Sequence, residues 1–164
     1  MLAAASNQTV ARTSPAFTRL GLPPSYRHPS SHRLKRKRLI QPLFDRDDEK
    51  TGSLSVGSLR ISYRFQPEAL VGQAVPLQVG FAVSRSIGGS VTRNRVKRVL
   101  RETFRHKLQE ITEKLTDQKD VLTMMIVVRR LSEDESRIKR DLLVGIEQLL
   151  EALESNSDRS SPDE

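Results

Sequence analysis

The chain has 164 residues, with hydrophobic side chains at 36%, aromatics at 4% and charged residues at 29%, which allows one domain with a modest aliphatic core plus tails and leaves little room for a second core. Cysteine is absent, excluding disulfide frameworks, thiolate zinc sites and cysteine nucleophiles, and no apolar run approaches the roughly 18–20 residues of a membrane span. The formal net charge is +8 and sits in two blocks: residues 1–38 hold eight basic and no acidic side chains and residues 85–109 hold eight and one, while residues 110–164 hold eight and fourteen. Positive charge concentrated in this way favours a polyanionic partner over general solubility.

Residues 1–32 combine Ser, Thr, Pro and Arg with no acid and no sustained apolar period, so they are expected to be a disordered basic tail. The same composition also describes an organellar transit peptide or an upstream extension without function. A single domain is expected over residues 33–153 and a polar tail over 154–164. From Arg33 to Phe44 the residues Leu34, Leu39, Ile40, Leu43 and Phe44 have a helix-like spacing broken by Pro42, predicting a short amphipathic helix or turn. Asp45–Ser53 predicts a charged loop. Leu59, Ile61, Tyr63 and Phe65 then alternate with Arg60, Ser62 and Arg64, the period of a strand with one apolar and one basic face. After Gly72 a second alternation, Val75, Leu77, Val79, Phe81 and Val83, predicts its partner in an antiparallel hairpin.

Ser84–Val91 is a turn containing Gly88 and Gly89, and Thr92 is the expected N-cap of a helix running to about Lys114. Val96, Val99, Leu100, Phe104, Leu108, Ile111 and Leu115 fall on one arc of this helix and Arg95, Arg98, Arg101 and Arg105 on the opposite one. Val121–Val128 is a continuous apolar run of strand length, suited to the middle of a sheet. Ser132 and Glu135 have capping-box spacing ahead of a last helix carrying Ile138, Leu142, Ile146, Leu149, Leu150 and Leu153. The expected architecture is α+β, a two-layer α/β sandwich with an about four-stranded sheet and the order α-β-β-α-β-α.

Catalytic constellations are quickly exhausted. His28, His32 and His106 are dispersed, and the zincin, P-loop and nucleophile-elbow motifs are all missing. Asp45, Asp47, Asp48 and Glu49 lack the glycine and terminal glutamate of a calcium loop and read as a solvated loop. The binding signal is stronger. In Arg93-Asn94-Arg95-Val96-Lys97-Arg98-Val99-Leu100-Arg101, guanidinium forks suited to phosphate gather in the first turns of an amphipathic helix. A merely solvated face would carry interspersed acids, yet Glu102 is the sole acid among nine charged residues from Arg85 to Lys107. The run Arg33, Lys35, Arg36, Lys37, Arg38 is less specific and fits either a second RNA contact or a localisation-type basic segment. An RNA-binding module such as a ribosomal protein or RNA chaperone is one reading of these features. A DNA-binding regulator is disfavoured because no helix precedes the basic one at helix-turn-helix spacing, and a protein-only nuclease lacks paired carboxylates near the basic patch.

The stretch Val79 to Arg105, VGFAVSRSIGGSVTRNRVKRVLRETFR, closely resembles the signature of the protein subunit of bacterial ribonuclease P, and a weaker resemblance covers roughly residues 33–153. The resemblance implies that Arg93, Asn94, Arg95, Lys97, Arg98 and Arg101, with Ser84 and Arg85 beside them, bind the catalytic RNA. It implies a cleft for the single-stranded 5′ leader of precursor tRNA that includes Phe44, Tyr63, Arg36 and Ile40, the last standing where the family has an aromatic. It further implies a ribosomal-protein-S5-domain-2-like fold with a left-handed β-α-β crossover, against the usual right-handed rule. Catalysis would belong to the RNA with its Mg2+, and the protein would hold no catalytic or metal site. The implied partners are ribonuclease P RNA and precursor tRNA, with no membrane and no obligate protein partner, in the cytoplasm; import into an organelle directed by residues 1–32 is the alternative.

Overall fold

A computed structural model describes residues 29–45, 47–130 and 134–157. Four strands, β1 (Gly52–Val56), β2 (Leu59–Pro67), β3 (Leu77–Val83) and β4 (Asp120–Val128), form one sheet in the order β1-β2-β4-β3. Four helices accompany it: the single turns α1 (Lys37–Ile40) and α2 (Glu68–Val71), and the long α3 (Ser90–Lys114) and α4 (Glu135–Ser157).

The continuous apolar run takes the central position. A strand apolar on both faces loses most by exposure, so β4 lies between β2, to which it is antiparallel from Leu59↔Val128 to Pro67↔Asp120, and β3, to which it is parallel. The antiparallel hairpin expected between β2 and β3 is therefore wrong. The hairpin partner of β2 is β1, a strand that begins at the end of the Asp45–Ser53 segment expected to be loop and continues through residues for which the sequence predicts no element. Its short run Gly-Ser-Leu-Ser-Val offers little apolar signal. Gly57 closes that hairpin at φ +54°, where a Cβ would also run into the Asp141 carboxylate. Asp141 in turn accepts hydrogen bonds from the backbone N–H and the hydroxyl of Ser58, each at 2.9 Å, pinning α4 to the turn.

The two faces of the sheet are covered differently. On one, Leu59 and Ile61 of β2, Leu77 and Val79 of β3 and Leu122, Met124 and Ile126 of β4 pack against Val96, Leu100, Phe104 and Ile111 of α3 and Ile138, Leu142, Ile146 and Leu149 of α4. Phe104, fully buried, meets Phe81 edge-to-face with ring centroids 5.6 Å apart. The opposite face carries a smaller cluster, Val121 and Met125 of β4 beneath Leu34, Leu39, Leu43 and Val71. There Gln66 donates to the Leu39 carbonyl at 3.3 Å and to the Thr123 hydroxyl at 2.9 Å, satisfying polar groups shut away from water.

Three boundaries differ from expectation. The helix expected to start after an N-cap at Thr92 starts at Ser90 with Gly89 as N-cap and no side-chain cap. Residues 30–32, expected in the tail, form a 3-10 turn; His32 Nδ1 lies 2.9 Å from the Leu77 carbonyl oxygen and Gln78 donates to the Ser31 carbonyl at 3.1 Å. At the other end α4 continues to Ser157, past the expected start of the polar tail. His28, Ser132 of the expected capping box and most of both tails lie outside the described residues.

Candidate nucleic-acid interface

The apolar arc of α3 decides where its arginines go. With Val96, Val99, Leu100, Phe104 and Ile111 buried against the sheet, the opposite arc must face water, and Asn94, Arg95, Arg98 and Arg101 are exposed while Arg93, Lys97 and Arg105 are half-buried. This surface is a ridge of cations raised on a rigid element. Among the described residues Arg95 Nε pairs with Glu135 at the start of α4. That pair remains open to solvent, with the Arg95 side chain 74% exposed, so it is worth only about 0–1 kcal/mol and a phosphate can displace it. The Nε of Arg93 is buried without an acceptor among the described residues, a donor that the protein itself does not satisfy.

The 3-10 turn Arg85–Ile87 precedes the ridge and keeps Arg85 exposed. Ser84 is fixed at the end of β3, its N–H donating to the Val128 carbonyl at 3.0 Å and its hydroxyl 2.9 Å from that of Ser86. All eight residues expected at an RNA surface thus lie on α3 or immediately before it. The fold also unites the two basic blocks, which are separate in the chain. Arg33 bridges to Val79 on the outer edge of β3 and Leu34 donates to the Val79 carbonyl at 3.0 Å, so Arg33 and Lys35 line a recess of about 230 Å³ together with Arg101 of α3. No local sequence signal brings position 35 to position 101; an edge pairing does.

The second expected group divides. Phe44 and Ile40 lie on the segment that covers the smaller cluster, Phe44 with half its surface exposed and Ile40 packed against that cluster. Arg36, on the same segment, is exposed but engaged, donating from Nη1 to the Val71 carbonyl at 2.8 Å, as Arg38 does to the Leu70 carbonyl at 2.8 Å. These bonds satisfy carbonyls at the end of α2. Tyr63 is on the other face of the sheet. It shares the face of Leu59, Ile61 and Phe65, packs against the main core, and its ring lies across Gly52 of β1, where no Cβ would fit. Burial raises the pKa of its phenol above the ordinary value. The expected grouping of Tyr63 with Phe44, Ile40 and Arg36 is corrected accordingly, because strict alternation along β2 puts every odd-numbered side chain toward α3 and α4.

The even-numbered side chains of β2 take its place beneath α1. Arg60 donates from Nε to the Ser53 hydroxyl at 3.1 Å, Arg64 pairs with Asp48 of the preceding loop, and Ser62 is buried with its hydroxyl unpartnered among the described residues. The α1 segment covers only the end of this face around Gln66 and Thr123. Toward the other end Ser53 and Ser55 are exposed and Arg60, Ala82 and Val127 half-buried, forming a shallow polar trough. Asp48 is committed to Arg64 and to the Lys50 N–H at 3.0 Å. Among the described residues there is no group of three or more His, Asp or Glu placed to hold a metal ion. No helix among them is long and apolar enough to cross a membrane.

The class that emerges is an α+β domain that mounts a one-sided cationic helix on a four-stranded sheet, an arrangement suited to a polyanionic partner. A family model described as ribonuclease P matches residues 28–153. A ribonuclease P protein component from Streptomyces bikiniensis is 31% identical over 126 residues, covering 74% of this chain and 94% of the relative. One from Brevibacillus brevis is 40% identical over 72 residues, covering 44% of this chain and 50% of that one. The solved structure of the RNase P protein of Staphylococcus aureus superposes with a TM-score of 0.51 at 17% identity, over 72% of this chain and 94% of its own, and shares the fold. The chain belongs to the family of ribonuclease P protein components, the protein subunits of the ribonucleoprotein that processes the 5′ end of tRNA.

Proposed function

We propose that the chain grips the catalytic RNA of ribonuclease P with the α3 ridge and lays the 5′ leader of precursor tRNA along the partly covered sheet face, while the RNA performs the hydrolysis. The observation that carries this reading is the segregation of α3 into a buried aliphatic arc and an exposed arc of Asn94, Arg95, Arg98 and Arg101 in a member of this family. Arginine forks donate paired hydrogen bonds to phosphate oxygens, and each neutralised phosphate releases condensed counterions. The ridge thereby offsets the repulsion that two RNAs exert on each other. On the sheet face the exposed Phe44 ring offers a base a stacking platform, and Arg60 lies within the trough to meet the backbone.

In this reading the chain acts by binding RNA and takes no part in proton transfer. Its contribution is positional, and the Mg2+ ions of the reaction belong with the RNA. The setting is the cytoplasm, where tRNA precursors are processed in bacteria such as the organisms of the relatives. The direct test is the salt dependence of binding to the RNA subunit: Arg93→Ala with Arg95→Ala should weaken binding and lower the slope of log K against log salt by about 1 for each phosphate that is no longer neutralised. An unchanged slope would remove the ridge from the interface.

A further inference from the structure

The loop ahead of β1 carries the acids Asp45, Asp47, Asp48 and Glu49, and their surroundings differ. Asp45, Asp47 and Glu49 are exposed, as a solvated loop requires, whereas Asp48 is half-buried. Its two carboxylate oxygens are divided between partners: Oδ1 accepts the Lys50 N–H at 3.0 Å, and Oδ2 meets Nη1 of Arg64 on β2. The turn that presents this carboxylate is closed by the Thr51 N–H, which donates to the Asp48 carbonyl at 3.0 Å. It is tied back to the segment bearing Phe44 by the Thr51 hydroxyl, which donates to the Pro42 carbonyl at 3.2 Å. Backbone thus positions the carboxylate at the arginine.

Arg64 is the cation that this contact withdraws from the sheet face. It shares that face with Arg60 and Ser62, at alternate positions along β2. Arg60 donates to a neutral hydroxyl, that of Ser53, and forms no ion pair among the described residues, whereas Arg64 is neutralised by the chain's own acid. Ser62, between them, is buried with its hydroxyl unpartnered among the described residues. The side chains of Arg64 and Asp48 are 22% and 21% exposed, so a phosphate can reach the pair and compete for the guanidinium, to which a carboxylate and a phosphodiester present similar anionic oxygens. The three further acids on the same short loop repel a polyanion from that margin of the face.

We propose that Asp48 is a specificity-determining residue for the 5′ leader: its carboxylate occupies Arg64 in place of a leader phosphate, so the face engages the leader through Phe44 and Arg60 while Arg64 is withheld. The proposal rests on the reading of this face as the leader track and adds to it a competitor built into the chain. Withholding one cation lowers affinity for every polyanion alike and leaves discrimination to stacking on Phe44. Paired RNA, whose bases are stacked within the helix, cannot make that contact.

The test uses holoenzyme assembled with the full chain bearing Asp48→Asn, which keeps an oxygen for the Lys50 N–H and removes the charge. Its Kd is measured over a salt series for precursor tRNA with a leader and for mature tRNA, and the leader contribution is the difference between the two slopes of log K against log salt. Asp47→Asn, which removes an equal charge from the same loop without touching Arg64, is the reference. Asp48→Asn should raise the leader contribution by about 0.7–1, for one further phosphate engaged by Arg64, and tighten precursor binding about two- to five-fold more than Asp47→Asn does. Its melting temperature should match the parent's, and adding Arg64→Ala should abolish both gains. A leader contribution unchanged by Asp48→Asn, a change matched by Asp47→Asn, or a gain that survives Arg64→Ala would overturn the inference. If the parent holoenzyme still binds precursor more tightly than mature tRNA in those cases, the proposed function stands without it; if the parent makes no such distinction, the leader track and this inference fall together.

Discussion

At the scale of single residues, side chains of similar type hold different duties according to what surrounds them. Arg95 and Arg36 are both exposed, yet Arg95 stands on the outer arc of α3 with one solvent-screened partner, whereas Arg36 holds the Val71 carbonyl that ends α2. The aromatics divide in the same way, Tyr63 into the main core and Phe44 onto the surface. Phe44→Ala should therefore leave stability within about 0.5 kcal/mol and weaken holoenzyme binding to leader-bearing precursor by about 1–3 kcal/mol, with mature tRNA little affected. Equal weakening of both substrates, or a drop in melting temperature, would place Phe44 outside the leader cleft. The cationic helix is legible in the sequence because charge segregation on a helix is local in the chain. The placement of Tyr63 is legible too, since its alternation with Arg60, Ser62 and Arg64 gives it to the apolar face; the family resemblance points the other way, and the alternation prevails.

At the scale of elements, α1, α3, α4 and three of the strands follow from periodicity, while the single turn α2 and the strand β1 are not predicted and the partner of β2 is misassigned. β1 escapes a periodicity reading because Gly-Ser-Leu-Ser-Val acquires its strand character from β2, and a β2–β3 hairpin is suggested only by proximity in the chain. The continuous apolar character of Val121–Val128 holds the corrective: a strand greasy on both faces belongs between two half-polar ones, and the sheet order β1-β2-β4-β3 obeys this. The start of α4 makes a pH prediction. Asp134 precedes this helix and accepts the Ser136 N–H at 2.8 Å; that bond lowers its carboxyl pKa below the ordinary value, with a smaller contribution from Arg140. A folded-state pKa below the unfolded one stabilises above the unfolded value and ceases to do so as pH falls through the folded value. Urea unfolding should show Asp134→Ala less stable than the parent near neutral pH, with the gap closing as the pH falls below the ordinary aspartate range; a gap independent of pH would mean that Asp134 acts without its charge.

At the scale of the whole molecule, the fold gathers what the chain disperses. Lys35 meets Arg101 across the β3 edge, Arg129 lies beside the approach to α3, and α4, which carries Glu135, Asp141, Glu147, Glu151 and Glu154, covers the sheet face away from the trough. The resulting surface has cations from four separate segments, and the proposed division of labour has the protein position RNA while the RNA cleaves. Cleavage of precursor tRNA by ribonuclease P RNA at low Mg2+, with and without the purified chain, tests that division of labour most directly. The account predicts that the parent protein restores cleavage, that the chain alone cleaves nothing, and that Arg93→Ala with Arg95→Ala restores cleavage only at higher protein concentration. Cleavage by the chain alone, or full restoration by the double variant at the parent's concentration, would contradict it.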